Sequence, residues 1–197
     1  MITMTMNTKQ VTNYLGNVAK QIPYASMVAL NNIAFGVQKA EVVALDKYID
    51  RPTPFTKRSY EVVKASKTRL IASVRARQIQ AEYLKWQVYG GSKPAPGKAI
   101  SLPVSLGTNQ YGNFRRGEVK RLVDRKDAFS KRIKGVAGIW QRRKEGRASR
   151  LFLMVAYEPK ATYSKRLPFH EVAETEVMRS YQGEFTKGLG RALGSAK

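Results

Sequence analysis

His170 is the only histidine in the chain, and there is no cysteine. Those two facts remove cysteine nucleophiles, thiolate metal sites and any centre built from several histidines. A Ser-His-Asp arrangement would have to use His170. That residue follows Pro168-Phe169 at the start of a helical pattern, where a histidine caps or packs. A two-metal hydrolytic site needs clustered carboxylates. The sequence offers three pairs: Asp46 with Asp50, Asp124 with Asp127, and Glu171 with Glu174. The last pair lies where acids favour a helix N-terminus through the dipole. The other two stand among lysines and arginines, as solvated helix faces do. The stretch GSKPAPGK (91–98) lacks the spacing of a phosphate-binding loop and follows a helical pattern rather than a strand. The sequence therefore names no catalytic residue, no metal ligand and no cofactor, and a non-enzyme is expected.

What remains is positive charge. The 197 residues hold 36 Lys and Arg against 14 Asp and Glu, a net charge of +22. Residues 1–50 carry +1, 51–114 carry +9, 115–166 carry +12, and 167–197 carry 0. Self-repulsion on that scale in the middle of a chain calls for a polyanion or an acidic partner. The cations recur in short groups: Arg115-Arg116, Lys120-Arg121, Arg125, Lys131-Arg132 and Arg142-Arg143-Lys144, followed by Arg147, Arg150 and Lys165-Arg166. Tyr111, Phe114, Trp140 and Tyr163 interleave with them. Such a mixture suits phosphate contact with some base stacking. Packing in a core is the other reading of the aromatics, and the stronger one for Trp140 on a strand. No zinc finger, RNP-like motif or helix-turn-helix pattern is present, so contact independent of nucleic-acid sequence is expected.

The elements that must hold these residues are legible by period. Asn7 is a candidate N-cap for a helix over 8–22 with a stripe of Val11, Leu15, Val18 and Ile22. Pro23 then opens a second, Ala- and Val-rich helix that runs towards Pro52 and Pro54. Its stripe is Leu30, Ile33, Val37, Ala40 and Ala44, and further apolar residues around it predict burial on more than one side. SYEVVKA and RLIASVRA read as a hairpin, and QIQAEYLKWQVY as a helix capped by Gly90. SKPAPGK reads as a linker or loop, and EPKATYSKRLP leads to the last helix. AISLPVSL is an edge strand because of Pro103. RRGEVKRLVDRK predicts a short basic helix, followed by strands in KDAFSKRIKG and VAGIWQRR and a central strand in LFLMVAY. From Pro168 a last helix carries Phe169, Ala173, Val177, Tyr181, Phe185, Leu189 and Leu193.

The expected fold is α+β: an antiparallel sheet of about five strands, long N-terminal helices and a C-terminal helix. One domain is expected over 1–197, with a helical arm (1–50), a basic β-rich body (51–166) and the final helix (167–197). Leu30, Ile33, Val37, Phe169, Val177 and Phe185 are the candidates for packing between subunits, and Ala99–Leu106 for pairing with a neighbour's strand. The longest uncharged stretch, 21–38, is too short and too polar to span a bilayer, so no membrane partner is expected. The N-terminus has no signal-peptide pattern, and the absence of cysteine fits a reducing cytosol.

Several stretches together carry a family likeness: IPYASMVALNNIAF, RPTPFTKRSY, IQAEYLKWQVYGG, LPVSLGTNQYGNFRRG, AGIWQR and LPFHEVAETEV. In them the chain resembles the minor tail protein Z group of tailed bacteriophages, the tail completion or head–tail joining proteins. RPTPFTKR and IQAEYLKWQVYGG are the most specific parts. The resemblance implies a structural virion protein at the neck or upper tail, assembled in the host cytoplasm. It implies several copies around the DNA channel, with packaged duplex DNA and neighbouring neck or tail proteins as partners. It brings no catalytic motif. The alternative from composition alone is a nucleoid-type or regulatory protein that binds DNA without sequence preference.

Overall fold

The computed structural model describes residues 8–145 and 148–195. The Asn7 cap and Arg147 lie outside the described residues. The chain has five helices and eight strands among those described, in the order α1 (Thr8–Tyr48), α2 (Pro54–Lys57), β1 (Tyr60–Val63), β2 (Ser73–Ala76), α3 (Gln78–Tyr89), β3 (Gly91–Pro94), β4 (Ile100–Pro103), α4 (Glu118–Val123), β5 (Ala128–Ile133), β6 (Val136–Glu145), β7 (Ala148–Glu158), β8 (Lys160–Tyr163) and α5 (Phe169–Ser195). It is an α+β protein. The strands form three antiparallel sheets rather than one: β1-β2, β3-β8 and β4-β7-β6-β5.

The described residues divide into two compact units. The first holds residues 8–48, 54–81 and 167–195; the second holds 49–53 and 82–166. These borders differ from those drawn on composition, because the β1-β2 hairpin packs with α1.

In the first unit α1 is a single helix of 41 residues, with Pro23 inside it. The expected break at Pro23 does not occur. Proline removes one N–H and costs about 3 kcal/mol in a helix interior, but packing over Ala25–Leu45 holds the helix on its far side. The buried seam is Ala25, Ala29, Ile33, Val37, Glu41 and Leu45, one residue in four, with Ala34 and Ala44 beside it. α5 runs antiparallel along that seam. Asn32 Nδ2 donates to Glu184 Oε2 at 2.8 Å. A Cβ on Gly36 would stand 2.9 Å from Glu176 Oε1, and one on Gly188 would stand 3.0 Å from the Ala25 carbonyl oxygen. The α5 residues turned towards α1 are Glu176, Ser180, Glu184, Gly188 and Ala192, again one in four. The bulky stripe read from the sequence therefore lies to one side, and Val177, Tyr181, Leu189 and Leu193 are exposed. The physical reason is size: Ser180, Gly188 and Ala192 let the helix axes approach as the larger residues would not. On another side of α1, Gln38 Nε2 donates to the Tyr60 carbonyl (2.7 Å), and Asn31 exchanges two hydrogen bonds with the backbone of Ala65.

In the second unit β7 lies between β4 and β6, the central place its two apolar faces require. A bulge sets Ile139 opposite Val155 but Trp140 opposite Leu153, leaving Met154 extra. The carbonyl of Met154 accepts from the N–H groups of Val104, Ser105 and Leu106. The free edge of β4 is therefore Ile100–Pro103, shorter than the expected Ala99–Leu106. One sheet face is covered: Leu122, Ile139, Met154 and Val155 form a core with Phe114, Val119 and Phe152 around it. The stretch read as a linker or loop opens on a strand: Gly91–Pro94 pairs with Lys160–Tyr163, which lies in the segment leading to the last helix. Gly90 (φ 70°) and Gly91 (φ 114°) turn the chain out of α3 into β3. Pro94 stands at the end of its strand, where a missing N–H is tolerated. Trp86 and Tyr163 stack at 6.4 Å beside this hairpin.

Candidate polyanion-binding face

Among the described residues no helix covers the second face of the four-stranded sheet. Its residues follow from register. Phe129 and Lys131 on β5 lie opposite Trp140 and Gly138 on β6, and Arg142 and Lys144 lie opposite Leu151 and Ser149 on β7. The β5-β6 turn sets that register. Lys134 (φ 48°) and Gly135 (φ 82°) both adopt positive φ, the two-residue hairpin geometry that matches strand twist.

A cleft of about 340 Å³ opens there, lined by Lys126, Asp127, Phe129, Arg142, Lys144 and Ser149. The guanidinium of Arg142 stands 6.0 Å from the Phe129 ring centre. Trp140 is half-buried and donates its Nε1–H to the Lys131 carbonyl at 3.1 Å. Asp127 is the one acid in the cleft, and it is occupied elsewhere. It accepts two bonds of 2.9 Å from Arg125 and one of 2.7 Å from Gln141 Nε2. Those bonds, Arg125 first, hold its carboxyl well below the usual carboxylate range. Among the described residues no acid pairs with Lys126, Lys131, Arg142 or Lys144. The arrangement suits bridging anionic groups along a flat surface, with apolar and aromatic area between the charges.

All ten cations named from the sequence are exposed, and the fold distributes them. Lys131, Arg142 and Lys144 share the open sheet face. Arg115, Arg116, Lys120 and Arg121 lie at and just before α4, whose Val119 and Leu122 turn inward. Arg121 donates to the Arg116 carbonyl at 3.2 Å. Arg132 donates to the Gly135 carbonyl at 3.0 Å and so braces the hairpin turn. Arg143 points to the covered face, donating to Gln141 Oε1 at 2.9 Å and lying 5.2 Å over the Phe152 ring. Arg125 is taken up by Asp127. Of the interleaved aromatics Trp140 lies on this face, whereas Phe114 packs in the core and Tyr163 on Trp86. Phe129 was missed in the sequence, although the Lys134-Gly135 turn would have set it opposite Trp140.

The carboxylate pairs do not assemble. Asp46 pairs with Lys57 at 2.6 Å, and Asp50 with Arg51 at 2.9 Å. His170 is exposed, edge-on to Phe169 at 5.4 Å. Among the described residues no group of three or more His, Cys, Asp or Glu comes together. No helix among them is long and apolar enough to cross a membrane. Of the candidates for subunit packing, Leu30, Ile33, Val37, Phe169 and Val177 line one apolar groove of about 430 Å³ in the first unit. Phe185 stands apart, against Tyr181 at 4.9 Å.

The fold and this face define a class: an α+β protein with a basic sheet face and exposed apolar helices. No protein-family model, curated protein or solved structure matches the chain.

Proposed function

We propose that this chain is a structural subunit of a tailed-bacteriophage particle. In this reading it acts at the neck or upper tail, as a tail completion or head–tail connector subunit repeated in a ring around the DNA channel. The observation that carries it is the segregation of charge. The unit spanning 49–53 and 82–166 holds 21 basic and 7 acidic residues, a net +14, and displays unpaired cations on an open sheet face. The other unit carries +8, of which +6 lies in residues 54–81; its helical stretches 1–48 and 167–197 total only +2 and present apolar surface instead. One part of the subunit is thereby suited to a polyanion and the other to protein neighbours. The motif resemblance supports the same place in the particle. Quantitative mass spectrometry of density-purified particles tests it: a fixed, small copy number per particle is expected. Absence from particles, with the chain in the DNA-bound cell fraction, overturns it.

The second reading is a DNA-binding protein without sequence preference. Phe129 and Trp140 among the cations favour it, since stacking surfaces serve free nucleic acid. Four cations on the face correspond to a salt slope of roughly −3 to −4 for duplex DNA. Tight duplex binding by the isolated chain with that slope supports this second reading; a connector gains its affinity on assembly.

A further inference from the structure

Two apolar surfaces of the first unit have no cover among the described residues. The first is the N-terminal end of α1. Val11, Leu15, Val18 and Ile22 continue, at spacings of four and three, the seam that Ala25 and Ala29 complete against α5. Every residue from 8 to 16 is exposed, with Val11 at 48%, Leu15 at 59% and Ile22 at 42%. The second surface is the groove between α1, β2 and α5, with Leu30, Ile33 and Val37 as its floor and Val74, Val177 and Tyr181 at its sides. No charged side chain lines it.

We infer that the α1 end of one copy lies in this groove of the next. The anchors at i, i+4, i+7 and i+11 form the pattern of a helix laid in an apolar groove. Lengths agree: Val11 to Ile22 spans about 17 Å of helix, and the α5 wall from Phe169 to Tyr181 about 18 Å. Charge permits it, because residues 8–24 carry only Lys9 and Lys20 and the groove carries nothing. A like-with-like pairing of two α1 ends would leave the groove open; the unlike contact covers both surfaces at once. The α1 end cannot reach its own groove, because α1 is one unbroken helix. An unlike contact of this kind repeats from copy to copy and closes as a ring when the rotation allows. The inference rests on the chain being a self-assembling subunit, and it specifies the contact.

The absence of cysteine makes the test clean. Purified Leu15→Cys and Val177→Cys chains are oxidised separately and as a mixture. A disulfide-linked dimer from the mixture, with neither single variant cross-linking, is expected. Cross-linking of Leu15→Cys on its own establishes like-with-like pairing and overturns the proposal, as does the absence of any cross-link in the mixture. Leu15 is exposed, so Leu15→Asp should leave the far-ultraviolet circular dichroism unchanged. It should lower the mass in solution to that of the 22.2 kDa monomer. A wild type that is monomeric at every concentration also overturns the contact. Particle composition is a separate measurement, so the contact and the virion reading fail independently.

Discussion

Glu41 lies in the α1 seam with 0% of its surface exposed, and among the described residues neither carboxylate oxygen has a hydrogen-bond partner. Burial, helped by the negative charge of Glu171, pushes its carboxyl from 4.5 to about 8. The folded chain thus holds a proton that the unfolded chain releases. The contribution of Glu41 to stability is most favourable at and below pH 4.5, falls as pH rises from there, and levels off near pH 8. At pH 7 the cost is roughly 3 kcal/mol, from 1.36 kcal/mol for each unit of displacement. Glu41→Gln keeps the shape and removes the titration. It should stabilise the chain by roughly 3 kcal/mol at pH 7, worth about 6–12 °C in Tm, and by nearly nothing at pH 4.5. Thermal melts of wild type and variant, followed by circular dichroism from pH 4.5 to 8.5, give the difference directly. Other carboxylates cancel in that subtraction. A difference that is flat with pH would refute the argument, because burial of an unpaired carboxyl cannot be pH-independent. Glu171→Gln should make the fall smaller and end it at lower pH, since it removes the second cause and leaves the first.

Gly138→Ala should cost about 3 kcal/mol in denaturant unfolding. The new Cβ would overlap the Val155 carbonyl oxygen and stand 2.7 Å from Leu153 Cδ1 in a buried strand. Asn31→Ala removes both bonds to Ala65 and should cost about 1–3 kcal/mol by the same measurement. The pair Arg142→Glu and Lys144→Glu should weaken binding of a 20-bp duplex at least tenfold, and fluorescence anisotropy across salt should show a slope shallower by about 2. Asp127→Asn removes the one acid of that cleft and frees Arg125, so the same assay should show roughly two- to fivefold tighter binding. The depressed carboxyl of Asp127 contributes no pH dependence to that affinity between pH 5 and 8, because it stays ionised throughout.

The fold was readable wherever period and punctuation agreed. α3 ends at Gly90 as its sequence requires, β4 is an edge strand as Pro103 requires, and the apolar LFLMVAY run is central. Misreadings arose where tertiary contact overrode local preference. Pro23 looks like a boundary in sequence, yet cover over Ala25–Leu45 carries the helix through it. Ser92-Lys93-Pro94 looks like a loop, yet β8 offers it a partner strand. The α5 stripe looked like the buried face because its residues are larger, while the packed face is built from Ser180, Gly188 and Ala192, which hydropathy does not mark. At the candidate site the cations were visible as types but not as faces. One strand position separates Arg142, on the open side, from Arg143, braced on Gln141 and Phe152. Only strand register and the bulge at Met154 sort them.

The first unit is assembled from segments far apart in the chain, and that fixes an order of events during synthesis. The seam from Ala25 to Leu45 leaves the ribosome more than 120 residues before the α5 surface that covers it. At 5–20 residues per second the interval is roughly 6–24 s. The whole sequence of the second unit is translated within that wait and can complete its sheet first. Throughout it α1 keeps an apolar face uncovered, next to the apolar α1 of every other nascent copy. Closure by α5 therefore competes with encounters between chains, and crowded translation on one message favours the encounters. Slower translation between 49 and 166 prolongs the exposure, whereas supplying α5 in trans should shorten it.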